Sequence, residues 1–383
     1  MKITIVPEVL SRHLKTFRKV MSKPQYVHFS AYCTGLIAAE KKNISQIAHA
    51  IPNGDQSSLN RFLTKGIWDR ELARSKALLL VRPFIKDAVF IIDDTLAHKW
   101  GKHMEGAAIH YDNLHKQKCY GYSIVTSGYA QNTVFTPFRF EVYQRKESLS
   151  PGSQFMTKNE LALGILKEAL RFKQFRYLLI DAWYTNKKIM RFLREKQQHF
   201  IGDLKSNRNV TINRQRKSVR DHCFITKMEE CVLNDCRYRA YMEDAYLPGI
   251  GKMKIVFAQA YLDNKWTETK YLVTNMFHLT AMQCIAAFNR RHAIEAFHRD
   301  GKQELALETF HMRKYVGVVT HLACVLIAYL FVILSKLASR MRGSIGDFCR
   351  KVRRKAQRHT LDLFMHCKAS LKLKQRAASF ICC

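Results

Sequence analysis

Acidic residues are scarce in this sequence of 383 residues: 31 Asp and Glu stand against 64 Lys and Arg, which gives a formal net charge of +33. A basic excess of this size is not expected from a random protein surface. It indicates a polyanionic partner, and nucleic acid is the default partner for such a charge. A merely basic protein without such a partner is the alternative that composition leaves open.

Paired cysteines are also lacking, since the eleven cysteines are scattered and form no CxxC motif. Cys223, Cys231 and Cys236 have no histidines at zinc-finger spacing. The cysteines therefore favour reduced thiols over a zinc site. The beginning of the chain, MKITIVPEVLSRHLKTF, has no apolar region typical of a signal peptide. We expect a cytoplasmic protein.

Long apolar runs are rare, and the one that needs a membrane test is Leu322–Leu334, LACVLIAYLFVIL. A helix that spans a bilayer needs about 20 apolar residues, whereas runs of about 10–14 residues are more often buried core helices. The run therefore predicts a core helix and no membrane partner. A span over residues 316–337 is the alternative.

What is present divides the chain into five regions. Hydrophobic residues make up 47% of the sequence, enough to bury a sizeable core. The patterns predict a helical N-terminal DNA-binding domain over residues 1–82, a first core part over 83–205 and a β-rich insertion over 206–278. A second core part follows over 279–338, and a basic helical tail over 339–383.

The N-terminal region contains two short amphipathic segments, at residues 44–51 and 59–63, around an Asn-Gly-Asp turn. Such a pair is compatible with a helix-turn-helix. An ordinary helical hairpin is an equal alternative.

Strands alternate with helices in the core. DAVFIIDDT and FRYLLIDAW read as buried strands, and the amphipathic segment at residues 159–172 reads as a helix between them. Further strands are predicted at 118–126 and 132–143, with Gly128 in the turn that joins them. This alternation indicates an α/β fold on a central sheet.

Both buried strands end in carboxylates, Asp93 and Asp94 in the first and Asp181 in the second. Sites in α/β sheets gather at the carboxyl ends of strands, and a buried acid is costly unless it is paired or binds a metal. Carboxylates suit Mg²⁺ and Mn²⁺, which also accept phosphate oxygens. Simple capping of the next turn is the alternative for either strand alone.

A third acid comes from a predicted long helix over residues 281–302, which Thr280 caps. In a continuous helix Phe288, Arg291, Glu295 and Lys302 fall within a ~60° arc, and His298 lies near it. Glu295 can then bind a metal while Arg291 and Lys302 hold phosphates. Local ion pairs such as Arg291–Glu295 are the alternative reading.

The spacing F-(2)-R-(3)-E-(6)-K in FNRRHAIEAFHRDGK resembles the Y-(2)-R-(3)-E-(6)-K signature of bacterial insertion-sequence DDE transposases. IIDDTLAHKWGKHMEG and LLIDAWYTN resemble the blocks around that family's first and second aspartates. FIGDLKSNRNV and YLVTN are similar to the strands that enter and leave its β insertion, and SSLNRFLTKGIWD is similar to the N-terminal region of the DDT-type subgroup. The blocks stand in the family's order over residues 40–338.

The resemblance implies an α/β fold with an RNase H-like core, a mixed central sheet flanked by helices and interrupted by the β insertion. It implies a catalytic triad of Asp94, Asp181 and Glu295 that binds two Mg²⁺ ions, with Mn²⁺ as a substitute. Asp93 is the rival for the first place. Asp94 is preferred because the matching acid in related members directly precedes Thr.

The resemblance also implies contacts to DNA phosphates by residues around the triad. Phe288 departs from the family's Tyr, which removes a hydroxyl from such a contact. The contacts are expected from Arg291, Lys302, Phe288, His298, Lys205 and Arg208, and a basic cluster of the tail is expected to add Arg350, Lys351, Arg353, Arg354, Lys355 and Arg358.

The expected activity is two-metal cleavage at transposon ends and strand transfer into target DNA. The partners are then double-stranded DNA, both terminal repeats and target, and a second protomer, in a bacterial cytoplasm close to the nucleoid. A catalytically inert DNA-binding relative and an RNase H-like nuclease without strand transfer are the alternatives.

Overall fold

Within the described residues, helices come first and last, and strands form most of the middle. The computed structural model describes residues 8–51, 54–101, 103–112, 115–132, 134–149, 154–339 and 343–366. The helices are α1 (Glu8–Lys15), α2 (Lys23–Ala38), α3 (Ile44–Ala50), α4 (Gln56–Lys65), α5 (Arg70–Val81), α6 (Lys158–Phe172), α7 (Lys187–Glu195), α8 (Ala281–Asn289), α9 (His292–Glu304), α10 (Tyr315–Ala338) and α11 (Ile345–His366).

The described strands form one mixed sheet, in which β4, β9 and β12 branch off by pairing with β3, β10 and β11. They are β1 (Val89–His98), β2 (Ala108–Asp112), β3 (Gln117–Gln131), β4 (Val134–Tyr143), β5 (Leu178–Ile180), β6 (Phe200–Asp203), β7 (Asn209–Ile212), β8 (Gln215–Ser218), β9 (Glu229–Leu233), β10 (Cys236–Leu247), β11 (Gly251–Leu262), β12 (Lys265–Trp266) and β13 (Lys270–Thr274).

Five strands form the core in the order β4, β3, β1, β5 and β6. β3 pairs antiparallel with both β4 and β1. On its other side β1 pairs parallel with β5, and β5 pairs parallel with β6. This strand order is that of an RNase H-like core, and α6 and α9 pack on it. The predicted fold class, a mixed central sheet flanked by helices, is confirmed.

The segment between β6 and α8 continues the sheet beyond the core. β13 pairs antiparallel with β6, and β11, β10, β7 and β8 follow in that order. The prediction of a mostly β insertion therefore matches the strands between residues 206 and 278. The insertion is joined to the core by continuous backbone hydrogen bonds rather than by a linker, because β13 provides the shared edge.

Helix α10 is the apolar run that called for a membrane test. Its length and a mean hydropathy of 2.5 in its most apolar window would permit a span, yet 83% of that window is buried inside the protein. It packs against α2, α4 and α5 on one side and β4 on another. Burial within the fold accounts for its apolar character.

The N-terminal helices share their core with α10, from the other end of the chain. α3 and α4 are the predicted helix pair. Asn43 caps α3 by accepting from the Gln46 amide, and Asp55 caps α4 by accepting from the Ser58 amide. The structure confirms two short helices here, while the boundary at residue 82 and a DNA-binding role stay predictions.

Two predicted elements are wrong in detail. Gly128 lies inside β3, where the β3–β4 register shifts, and not in a turn. A Cβ there would lie 2.5 Å from Thr136 O, so the neighbouring backbone requires glycine. The turn is formed further on, at Asn132, which has a positive φ of 51°.

The long helix over residues 281–302 is also a wrong prediction. The amides of Arg290 and Arg291 bond back only three residues, to Ala287 and Phe288, which tightens the chain and ends α8. A second helix, α9, begins at His292. Thr280 caps α8 as predicted, through its bond with the Gln283 amide. Because the axis is interrupted, Phe288 does not share a continuous stripe with Glu295.

The C-terminal segment forms α11 as far as His366, and it packs on α2, α9 and α10. The sequence predicts a basic tail over residues 339–383. The part at 367–383, like residues 340–342, lies outside the described residues. Within the described part, one face of α11 belongs to the core, since Phe348, Cys349 and Val352 are buried.

Candidate active site

The strand-end acids meet because β1 and β5 are parallel neighbours. Ile92 is paired with Ile180, so Asp93 and Asp181 lie side by side. Asp181 directly follows the end of β5, but Asp93 lies inside β1, which continues to His98, so the expectation that the first strand ends at its acids is wrong. Asp181 Oδ1 accepts from the backbone amides of Trp183 and Tyr184, both at 3.1 Å. These two bonds fix the carboxylate in the turn that follows β5.

Arg291 joins the first strand to α9. Its Nη1 lies 2.5 Å from Asp93 Oδ2, and its Nη2 lies 2.7 Å from Glu295 Oε1. Arg291 precedes the first turn of α9, so the helix break directs its side chain onto the strand. His292 Nδ1 is 2.9 Å from the other oxygen of Glu295. The structure therefore brings Asp93 and Glu295 to one guanidinium.

Asp94 has a different set of partners. Lys158, the first residue of α6, places its Nζ 2.6 Å from Asp94 Oδ2. The hydroxyl of Tyr184 donates to Asp94 Oδ1 at 3.1 Å, and that of Ser123 to Oδ2 at 3.3 Å. Successive side chains of a strand point to opposite faces. Asp93 is thus directed toward α9, and Asp94 toward α6.

The crowding of these acids disturbs their titration. Burial raises the pKa of Asp93 to about 7. The charge of Arg291 lowers this pKa, and repulsion from Asp181 and Asp94 raises it further. Burial, together with Asp94, also raises the pKa of Asp181. Although burial opposes it, the bond from His292 and the charge of Arg291 hold the pKa of Glu295 below its usual range. The negative charge of these acids is therefore not fully balanced by the basic side chains beside them.

The three aspartates line a cleft of about 1060 Å³, and Glu295 is not part of its lining. Asp93, Asp94 and Asp181 form one part of its wall, and Lys302 and Glu308 another. Lys302 Nζ donates to the Leu96 carbonyl at 2.7 Å and lies 3.5 Å from Glu308 Oε2. A large polar cleft at the carboxyl ends of parallel strands is where this class of fold holds its ligands.

Two more of the expected phosphate contacts, like Arg291 and Lys302, have internal partners. Phe288 is only 5% exposed, and Lys270 Nζ lies over its ring at 4.8 Å. His298 Nε2 is 2.6 Å from Thr126 Oγ1. Burial, aided by Lys302, lowers the pKa of His298 to about 3, so the ring is neutral at pH 7. Their contacts with DNA stay predictions that need a rearrangement.

Lys205 and Arg208 lie beside the acid cleft. They line a neighbouring groove of about 600 Å³, together with Lys187 and Arg216. Trp183 lines both the groove and the acid cleft and is 52% exposed. The ammonium groups of Lys158 and Lys205 lie 5.8 Å and 5.0 Å from its ring.

The basic cluster of α11 is divided into two kinds of side chain. Arg350 and Arg353 both bind Glu304, at 2.8 Å and 3.2 Å. The other four basic residues are Lys351, Arg354, Lys355 and Arg358, and they are exposed. Only the second kind has its charge available at the surface of the described helix.

Sequence reasoning missed several groups at the site. Lys158 and Tyr184 hold Asp94, and Trp183 connects the two grooves. Tyr184 and Trp183 stand within three residues of Asp181, so proximity to a predicted acid was the available signal. Lys158 is distant from the acids in sequence, and no pattern pointed to it.

Comparison with known proteins gives a family. A family model described as DDE superfamily endonuclease matches residues 16–221, more than half of the chain. A probable transposase for insertion sequence element IS701 from Microchaete diplosiphon is 28% identical over 217 residues, which are 55% of this chain and 56% of that protein. The chain thus spans little more than half the length of this curated relative.

A cryo-EM structure of the piggyBac transposase synaptic complex with hairpin DNA is similar at a TM-score of 0.46 and 9% identity. The match covers 98% of this chain and 81% of that chain.

The family match includes both strand-end blocks and ends before α9. The resemblance to an insertion-sequence DDE transposase is confirmed at the level of the family, and dependence on a divalent metal follows from it. The subgroup with the Y-(2)-R-(3)-E-(6)-K signature stays a prediction. Since the match exceeds half of its length, the chain belongs to the DDE superfamily endonuclease family.

Proposed function

We propose that this protein is a DDE transposase, which cuts double-stranded DNA at the ends of an insertion sequence and joins those ends to target DNA. The observation that carries the proposal is the guanidinium of Arg291, which binds Glu295 on its own helix and also Asp93, 198 residues earlier in the chain, beside Asp181. The similarity to an IS701 transposase supports it. The basic excess of the chain provides affinity for the DNA backbone.

The triad in this proposal is Asp93, Asp181 and Glu295. The sequence favours Asp94 over Asp93, whereas the side-chain contacts of the two residues support Asp93 in this proposal. Asp93 lies level with Asp181 in the parallel register and shares Arg291 with Glu295. Asp94 binds Lys158 on the α6 side. We therefore assign Asp94 to positioning Lys158 and Tyr184 at the wall of the cleft.

The residues present fit two Mg²⁺ ions, with Mn²⁺ as a substitute. The donor set consists of carboxylates, which Mg²⁺ prefers, and burial and mutual repulsion raise the pKa of Asp93 to about 7. Asp93, Asp181 and Glu295 would hold the ions, and Arg291 would exchange its carboxylate partners for substrate phosphate. When bound, such ions lower the pKa of water and compensate charge at phosphorus.

The chemistry consists of two phosphoryl transfers. In the first, water forms a bond to phosphorus at the element's end and the bond to the 3′ oxygen breaks, which leaves a 3′-hydroxyl and a 5′-phosphate. In the second, that hydroxyl attacks a target phosphate, and the target's own 3′ oxygen leaves. Arg291 and Lys302 orient the phosphates at the cleft, and Lys205 and Arg208 hold the strand in the adjoining groove.

Trp183 is a further DNA contact in this proposal. Its half-exposed ring stands where the cleft and the groove meet, between two lysine ammonium groups. Aromatic rings flanked by cations stack on bases in many single-strand sites. Because two ends must be joined, we also propose at least a dimer on DNA.

The test is an assay on DNA that carries the inverted repeats flanking the reading frame, with Mg²⁺ or Mn²⁺. Wild type is expected to cut at the ends and join them to a target plasmid, and Asp181→Asn is expected to do neither. Asp263→Asn, at an exposed turn between β11 and β12 where φ is already positive, is the matched control and should retain both steps.

Two other outcomes would reject the proposal. Cutting without joining, with every step lost in Asp181→Asn, would indicate a nuclease without strand transfer. Binding to the ends with no cutting by wild type would indicate an inert DNA-binding relative.

A further inference from the structure

A second group of metal-ligand side chains lies at the far end of β1 from its buried start. It consists of His98, the last residue of β1, Asp112, the last residue of β2, and His115 in the turn that follows β2. One ligand atom from each lies within 4.8 Å of the other two. We propose that this group, the His98–Asp112–His115 cluster, binds a transition-metal ion of the Zn²⁺ type, separate from the ions of the acid triad.

The distances suit a small ion. His98 Nε2 lies 3.0 Å and His115 Nδ1 lies 2.8 Å from the same oxygen, Asp112 Oδ2. Zinc binds imidazole nitrogen and carboxylate oxygen at about 2.0–2.2 Å, which places neighbouring ligands of a tetrahedron roughly 3.3 Å apart. Each histidine nitrogen therefore needs to move only a few tenths of an ångström away from Asp112 Oδ2 to reach that spacing.

Hydrogen bonding gives an independent argument. Glu308 Oε1 is 2.6 Å from His98 Nδ1 and also accepts from the His98 amide at 3.0 Å. If Nδ1 gives its hydrogen to Glu308, neutral His98 turns a lone pair at Nε2 toward Asp112. Two acceptors that face each other need a proton or a cation between them. The carboxylate behind a ligating histidine is also the usual partner that fixes the ring of a metal ligand.

The chemistry of the donor set selects the metal. Two imidazoles and one carboxylate suit Zn²⁺ and its neighbours, whereas Mg²⁺ prefers oxygen ligands and keeps its waters. The cluster lines the same cleft as the acids, so a fourth coordination position is open to water or a phosphate oxygen. An ion here would fasten the ends of β1 and β2 to the loop that carries Glu308.

The cluster consists of histidine and aspartate alone, which is why cysteine spacing gave no sign of it. The signal in the sequence was HYDNLH, which contains Asp112 and His115 and lies just beyond the block that carries the first acids. His98 and Glu308 are separated by 210 residues, and only the fold brings them together.

The test is zinc binding by the full chain without DNA. Chelator-treated protein is titrated with Zn²⁺ against a chromophoric chelator, in excess Mg²⁺ to occupy the acid triad. Wild type is expected to bind one equivalent, and His115→Ala, whose side chain is 57% exposed and so tolerates truncation, is expected to lose it. Glu308→Gln should weaken binding about 10–100-fold, as loss of a carboxylate behind a ligating histidine does.

The controls separate this site from other zinc ligands. His311→Ala, an exposed histidine outside the cluster, and Asp181→Asn should both retain the zinc equivalent. The Co²⁺-substituted protein should show a tetrahedral spectrum without a thiolate charge-transfer band. A zinc equivalent that persists in His115→Ala, or one that is lost on alkylation of the thiols, would overturn the proposal. Either result is independent of whether the protein cuts DNA.

Discussion

Acidic and basic side chains meet at both ends of α9, but acids outnumber their basic partners at the start of the helix, and basic partners outnumber the acid that they bind at its end. At its start, Glu295 and Asp93 share Arg291, with His292 beside Glu295 and Asp181 beside Asp93, while Asp94 on the other face of β1 pairs with Lys158. At its end, Glu304 alone binds two arginines of α11, Arg350 and Arg353. An acid excess within a protein of net charge +33 marks a place for an added cation, whereas acids matched by arginines fasten two helices together.

Titration follows the same division. At the start of α9, burial and neighbouring acids raise the pKa of Asp93 to about 7. At the end, burial and the charge of Arg353 lower the pKa of Lys42 to about 7. A carboxyl at the start and an ammonium at the end are thus both shifted toward their neutral forms. Four measurements would break or sharpen this contrast.

The largest effect is expected from the first acid. Asp93→Asn should lower the rate of DNA cleavage by about 10³-fold, because a metal ligand contributes several kcal/mol of transition-state stabilisation and each ~1.4 kcal/mol is tenfold in rate. Asp94→Asn should lower it by roughly tenfold, through the displacement of Lys158. Single-turnover cleavage of end DNA measures both. The reverse order would return the first place in the triad to Asp94.

The second effect is a dependence of stability on pH. Because the folded-state pKa of Asp93 is raised above its unfolded value of about 3.9, its contribution is present at low pH and is lost as pH rises through 7. In chelator, wild type should lose of the order of a few kcal/mol of unfolding free energy between pH 4 and pH 8, relative to Asp93→Asn. Urea denaturation at the two pH values measures this difference. An equal change in the free energy of unfolding for wild type and Asp93→Asn would contradict the prediction.

The third effect concerns the other end of α9. Glu304→Gln should lower the free energy of unfolding by about 1–3 kcal/mol, since two arginines lose a buried charged partner. Glu304 is 10% exposed at its side chain, whereas Arg350 is 48% exposed and can turn to solvent. Cleavage per folded molecule should be unchanged. Urea denaturation measures the stability of Glu304→Gln, and the cleavage assay measures its activity. A variant of full stability that does not cleave DNA would show that the end of α9 also serves the reaction.

The smallest effect is expected from the exposed face of α11. Lys351→Gln with Arg354→Gln should weaken binding to any duplex DNA and reduce the slope of log affinity against log salt by about 1 for each DNA phosphate that is no longer neutralised. Arg350→Gln is the control, because its charge is held by Glu304 and Asp347. An equal weakening in the control would show that α11 acts through folding and not through direct binding of DNA.

The sequence predicted most of the residues that form the site but not how they are arranged. The strands that lead to Asp93, Asp94 and Asp181 could be predicted because buried strands are continuous apolar runs, but the continuation of β1 past its acids to His98 was not predicted. The helix that carries Glu295 could be found through its motif, but its predicted length is too great, because the amides of Arg290 and Arg291 bond back only three residues and end α8. Lys158, which binds Asp94 from α6, gave no local signal.

The sequence by itself determined the class of fold, the family blocks in their order, and the large excess of positive charge, because charge, apolar runs and motifs are local properties of the chain. Tertiary structure alone decided that Asp93 faces α9 while Asp94 faces α6, that Phe288 is buried, and that His98 meets Asp112, His115 and Glu308. The reason is physical: sheet register and the facing of side chains are set by pairing between distant segments, which neighbouring residues do not encode.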